Sequence, residues 1–87
     1  MFKKRRGIKL SYDEQGLIHF VCVNIEKMPE EVQDKIFRMC DEIGKEHAEV
    51  LFQVMTDSKR SIRTLAREYF ISESQLYLYR KRFYESW

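Results

Sequence analysis

One proline and three glycines among 87 residues leave too little turn chemistry for the many tight connections of an all-β fold. Two cysteines, Cys22 and Cys40, are too few for a disulfide-stapled scaffold, and both sit among apolar residues as buried free thiols would. No apolar run approaches the roughly 18 residues needed to cross a bilayer. The longest, Phe20 to Val23, is too short even for the core of a signal peptide. A soluble cytoplasmic protein is the expectation. Catalytic groupings are missing as well: there is no Ser, His and Asp set, no glycine-rich phosphate loop, and no carboxylate pair beside a histidine. The chain therefore reads as a non-enzyme with no cofactor. His19 with Cys22 and Cys40 with His47 supply zinc-type ligands, but their spacing matches no zinc motif, and isolated buried cysteines act as small hydrophobes.

What is present is a density of Leu, Glu, Lys, Arg, Gln and Met, with 44% hydrophobic residues, which favours helices packed into one domain with one modest core. The net charge of +2 conceals a segregation. Residues 1–10 carry five bases and no acid, residues 11–57 four bases against eleven acids, and residues 58–87 seven bases against three acids. Basic ends around an acidic middle point to a polyanion partner for the ends. Residues 1–9, with the run Lys3-Lys4-Arg5-Arg6, read as a flexible basic arm, serving either as a solubilising tail or as a phosphate contact.

Between Leu10 and Met28 two patterns compete. The β-branched and aromatic residues would suit a hairpin of Gly7–Tyr12 and Leu17–Val23. Ser11-x-x-Glu14, however, is a capping box, and Leu17, Val21 and Ile25, with Ile18 and Cys22, recur at helical spacing, so a helix is expected. Pro29 at the first helical position, followed by Glu30 and Glu31, starts the next helix. Its apolar stripe is Val32, Ile36, Met39, Cys40 and Ile43, and Gly44 is placed to end it in a left-handed conformation. A helix from Lys45 to Met55 would bury Ala48, Leu51, Phe52 and Met55, and Thr56–Arg60 reads as a loop. The apolar stripes are read as core.

Residues 61–84 have the spacing of a helix-turn-helix. Ile62, Leu65, Ala66 and Tyr69 share one face of a first helix, on which the small Ala66 admits close crossing by the second. Phe70-Ile71 forms the connection, Ser72 caps the second helix with Gln75 completing a capping box, and Leu76, Tyr79 and Phe83 face the core. Rotation about the axis then places Ser74, Tyr77, Leu78, Lys81 and Arg82 away from it. The run SIRTLAREYFISESQLYLYRKR resembles the helix-turn-helix of resolvase-type recombinases, of sigma-factor region four, and of phage late-gene activators of the ArpU and RinA kind. The matching positions are Ile62, Leu65, Ala66, Ile71, Ser72, Leu76 and Tyr79. Phe70 departs from the pattern, since such turns usually carry glycine. The whole chain also resembles small proteins of Gram-positive phages and integrative elements.

The expected architecture is an all-α domain of four to five short helices ending in the helix-turn-helix. Its expected function is a DNA-binding transcriptional regulator of a mobile element that reads the major groove of double-stranded DNA with the last helix. Ser74, Tyr77 and Lys81 are the base-edge candidates, and Lys59, Arg60, Arg63, Arg80 and Arg82 the phosphate candidates. A homodimer, RNA polymerase or an element-encoded protein would complete so short a readout. The rival reading is a protein-interaction adaptor that uses the acidic helix 29–43, with the helical hairpin serving only for packing.

Overall fold

In the computed structural model, which describes residues 2–87, five α-helices carry the chain: α1 (Tyr12–Val23), α2 (Glu30–Gly44), α3 (Ala48–Thr56), α4 (Ile62–Tyr69) and α5 (Glu73–Ser86). Single 3-10 turns at Ile25–Lys27 and Lys45–His47 join the first three. The all-α expectation holds, and no strand occurs among the described residues. The shortest but one of these helices, α3, lies at the centre: it packs against α1, α2, α4 and α5, and its Val50, Leu51 and Met55 are buried among them. Around it gather Ile18 and Cys22 of α1, Ile36, Met39 and Cys40 of α2, Leu65 and Ala66 of α4, and Leu76, Phe83 and Tyr84 of α5. The radius of gyration of 12.1 Å equals the roughly 12 Å of a packed domain this long.

The helix reading of residues 10–28 prevails, and its start carries the closed capping box that the sequence spells out. Ser11 Oγ accepts from the Glu14 backbone N–H at 3.1 Å, and the Glu14 carboxylate accepts from the Ser11 N–H at 2.9 Å. The buried face differs from the expected stripe: Gln15, Ile18 and Cys22 are inside, Val21 and Ile25 only partly so, and Leu17 is 62% exposed. Periodicity alone left two overlapping faces, and packing on α3 selected the one offset by a residue.

Two helix-end expectations shift. Pro29 is the cap of α2 instead of its first residue, with extended backbone and a carbonyl that accepts from Val32 and Gln33. Gly44 stays right-handed, and the positive φ of 52° falls on Lys45. What Gly44 supplies is space, since a Cβ there would lie 3.4 Å from the Leu51 side chain at the α2–α3 corner. The third helix correspondingly begins at Ala48, after the 3-10 turn.

The expectation of a flexible arm over 1–9 does not fit residues 2–9. Ile8 is buried in the core, the Arg5 backbone is bonded to Gln15, and the Lys9 N–H donates to Glu85 of α5 at 3.0 Å. Phe2 packs its ring on Tyr12 and His19 of α1. Charge composition alone favoured a solvated tail, but Phe2 and Ile8, spaced among the bases, give the segment something to bury.

Candidate nucleic-acid interface

The α4–α5 unit is built from two serine caps and one left-handed residue. Ser61 Oγ accepts from the Thr64 N–H at 3.1 Å and opens α4; Ser72 Oγ accepts from the Gln75 N–H at 3.2 Å and opens α5. Between them α4 ends in a Schellman arrangement, with the Ile71 N–H donating to the Ala66 carbonyl at 3.0 Å and the Phe70 N–H to Arg67 at 3.4 Å. Phe70 occupies the left-handed position (φ 54°, ψ 45°) with its ring 96% exposed. The turn thus adopts the conformation that glycine usually supplies, although a phenylalanine stands there. Ile71 packs partly buried against the core, in the angle between the helices.

The second half of the Ser72 capping box does not close as the spacing predicts. Gln75 turns the other way, donating from Nε2 to Tyr79 Oη at 2.8 Å, and Tyr79 Oη lies 2.9 Å from His47 Nδ1. Tyr79 therefore ties α5 to the 3-10 turn before α3, with the Gln75 amide holding its hydroxyl.

Leu76, Tyr79 and Phe83 are buried as their phase requires, and so is Tyr84. Ser74 and Arg82 are exposed, Tyr77 and Leu78 are 49% and 44% exposed, and Lys81 is half-buried. Tyr77 and Leu78 each stand three or four residues from Ser74 and from Lys81, so the four lie along one side of α5. A shallow groove lies between Arg63 and Arg67 of α4 and Ser72 and Glu73 at the start of α5.

The phosphate candidates divide into two groups. Lys59 and Arg82 are exposed without an ion pair among the described residues, and Arg63 is exposed with only a long 3.8 Å contact to Glu73. Arg60 is structurally engaged: Nε meets Asp57 at 2.9 Å, one terminal nitrogen meets Glu68, and the other donates to Gln53 at 2.8 Å. This network pins the α3–α4 loop to both helices. Arg80 is half-buried, with its guanidinium 5.0 Å from the Tyr77 ring, and burial pushes its pKa down to about 10. Arg80, one of the phosphate candidates, turns inward toward the N-terminal segment, where it lines a cavity together with Arg5.

Arg67 is a basic residue that the sequence reading passed over. It is exposed on α4 four residues after Arg63, so the spacing alone already placed the two on one face. Arg5 was hidden in the arm, and nothing in the sequence indicated that it would dock.

The zinc-type ligands are held apart by their partners. His47 meets Tyr79, whereas His19 faces Phe2. Among the described residues no group of three or more His, Cys, Asp or Glu side chains is gathered as a metal would need. Among the described residues no helix is long and apolar enough to cross a membrane. No family model, curated protein or solved structure matches the chain.

Proposed function

We propose that the chain is a small DNA-binding protein that reads the major groove with α5. The observation that carries this reading is the tight Phe70–Ser72 connection, which leaves Ser74, Tyr77, Leu78 and Lys81 on the free side of α5 while Leu76, Tyr79 and Phe83 anchor it. That side mixes hydroxyl donors and acceptors, an apolar side chain and a cation, the chemistry needed for base edges and a thymine methyl. Arg63, Arg67, Lys59 and Arg82 flank it as phosphate contacts, and Arg60 acts by holding the loop.

From the resemblance of residues 61–82 to regulatory helix-turn-helix units, the role follows as control of transcription in a phage or another mobile element, in the cytoplasm. A second copy of the chain, or RNA polymerase, extends a readout of only a few base pairs. An adaptor role for α2 draws support from one feature: Glu30, Glu31, Asp34, Asp41 and Glu42 are exposed, with no ion pair among the described residues.

The test is a titration of labelled duplex, taken from a binding selection, against Tyr77→Ala and Lys81→Ala at several salt concentrations. Groove reading requires weaker binding to the selected site with the fold intact by circular dichroism. Arg82→Ala should weaken all sequences alike and lower the salt slope by about one. Unchanged affinity in all three variants, or only nonspecific binding by the parent, removes groove reading. Charge reversal at Glu30, Asp34 and Glu42 that abolishes a protein contact would then establish the adaptor.

A further inference from the structure

A cavity of about 350 Å³ opens between the N-terminal segment, α1, the α3–α4 loop and α5. That is room for on the order of ten waters. Besides Arg60, three nitrogen-bearing side chains converge on it from separate stretches of chain: Arg5, His19 of α1 and Arg80 of α5. None of the three has a carboxylate partner among the described residues, where every ion pair belongs to Arg60 or Arg63. The one acid in the wall, Asp57, is already engaged. Its oxygens accept from Arg60 Nε at 2.9 Å and from the Lys59 N–H at 2.9 Å.

The cluster is therefore positive without an internal counter-charge. Arg80 Nε is buried and donates to nothing among the described residues. A buried donor of this kind is costly, and an ordered water or ion is one of the few things that account for it in a native protein. Burial, followed by Arg5, pulls the Arg80 pKa down to about 10; burial, followed by Arg5 and Arg80, also lowers that of His19. These groups repel one another where they stand.

We propose that this cavity binds a phosphate group, held by Arg5 and Arg80 with His19 at its edge. Two guanidinium forks and an imidazole arriving from three directions match a tetrahedral anion with three free oxygens better than a planar carboxylate. Ser58 and Ser61 add hydroxyl groups at the wall. Tyr77 also lines the cavity, so the site adjoins the outward side of α5, and a nucleic-acid backbone phosphate or a free phosphate ligand would enter from there. The assignment stands without groove reading, because a free phosphate suffices.

The test titrates the full ¹⁵N-labelled chain with inorganic phosphate, and separately with chloride, at matched ionic strength. The arginine Nε–H and histidine ring resonances are followed. A saturable shift at Arg80 Nε and a rise in the His19 pKa are expected with phosphate only. Arg5→Gln and Arg80→Gln should each weaken phosphate about tenfold, the loss of one charge-assisted contact. Arg80→Lys, which keeps the charge, serves if the glutamine variant unfolds. Release of phosphate by a short duplex identifies a backbone phosphate as the occupant; simultaneous binding identifies a free ligand. Shifts matched by chloride, lack of saturation, or indifference to both glutamine variants overturn the proposal. Intact phosphate binding in a protein that binds no duplex removes groove reading alone.

Discussion

Gln15 grips the backbone of Arg5 with both ends of its amide. Oε1 accepts from the Arg5 N–H at 2.8 Å, while Nε2 lies 3.4 Å from the Arg5 carbonyl and donates to the Leu10 carbonyl at 3.1 Å. It is the one buried polar side chain among the described residues, and it has a partner at each polar atom. A single residue of α1 thereby converts a basic stretch into part of the fold and sets Arg5 beside Tyr84 and Arg80.

Replacing Gln15 with methionine keeps the volume but leaves the Arg5 N–H and the Leu10 carbonyl unpaired in a buried place. The expected cost is about 1–3 kcal/mol, read from the urea midpoint. Amide exchange should speed up at Arg5 more than in α3. Unaltered protection at Arg5 would show that Phe2 and Ile8 hold the segment unaided.

Phe70→Gly should stabilise the protein. A non-glycine residue in the left-handed region costs about 1–2 kcal/mol, and the exposed ring at this position offers little packing in return. Glycine's greater freedom in the unfolded chain returns part of that, so the net gain is about 0.5–1 kcal/mol. Thermal unfolding measures it, and a fall in midpoint would mean that the ring stabilises the native state. If duplex binding falls while the midpoint rises, the exposed ring is a contact.

Ala66 lies where the Ile71 N–H closes the end of α4 and the second helix begins its crossing, and it is buried. Ala66→Leu should overpack this corner and cost about 1–3 kcal/mol. An unchanged thermal midpoint would place the crossing elsewhere.

Local signals made much of this architecture legible. Ser11-x-x-Glu14, Ser61 and Ser72 marked helix starts, and Leu76, Tyr79 and Phe83 fixed the phase of α5, because caps and periodicity depend on neighbours three or four residues away. Long-range relations were not legible. Gln15 clasps a backbone ten residues upstream, Tyr79 meets His47 across two helices, and Arg60 joins Gln53 to Glu68. The surroundings of Arg80 were hidden for the same reason. Its helical phase is intermediate, and only the docking of Arg5 and Tyr77 around it decides that it turns inward. The close approach of Leu51 to Gly44 is likewise a relation that no local pattern encodes.

The pKa values of the Cys22 and Cys40 thiols are pushed up to about 12, by burial first, with Cys40 adding to the shift of Cys22 and Asp41 to that of Cys40. At pH 8 both should remain protonated and unreactive in the folded state. An aromatic disulfide reagent should label them only through opening, slower than in the unfolded chain by about a thousandfold or more. Labelling at the unfolded rate would mean that α1 and α2 part readily from α3.

Acid should weaken the fold through His19. Burial first, then Arg5 and Arg80, lowers its pKa in the native state below the 6.5 of the free side chain. Above 6.5 neither state holds the proton, and stability is independent of this group. Below it the unfolded chain takes up a proton that the native imidazole still refuses, so stability falls as pH drops toward the native pKa. Urea midpoints between pH 7.5 and 5 should decline, and His19→Gln should flatten that part of the curve. Glu14 and Asp57, whose pKa values are lowered by hydrogen bonds from Ser11 and Arg60, add a further decline only as pH falls below the usual carboxylate range. Phosphate in the cavity should reverse the His19 contribution, because an anion beside the ring favours its protonated form. A decline that persists unaltered in His19→Gln, with or without phosphate, would assign the acid sensitivity to other groups.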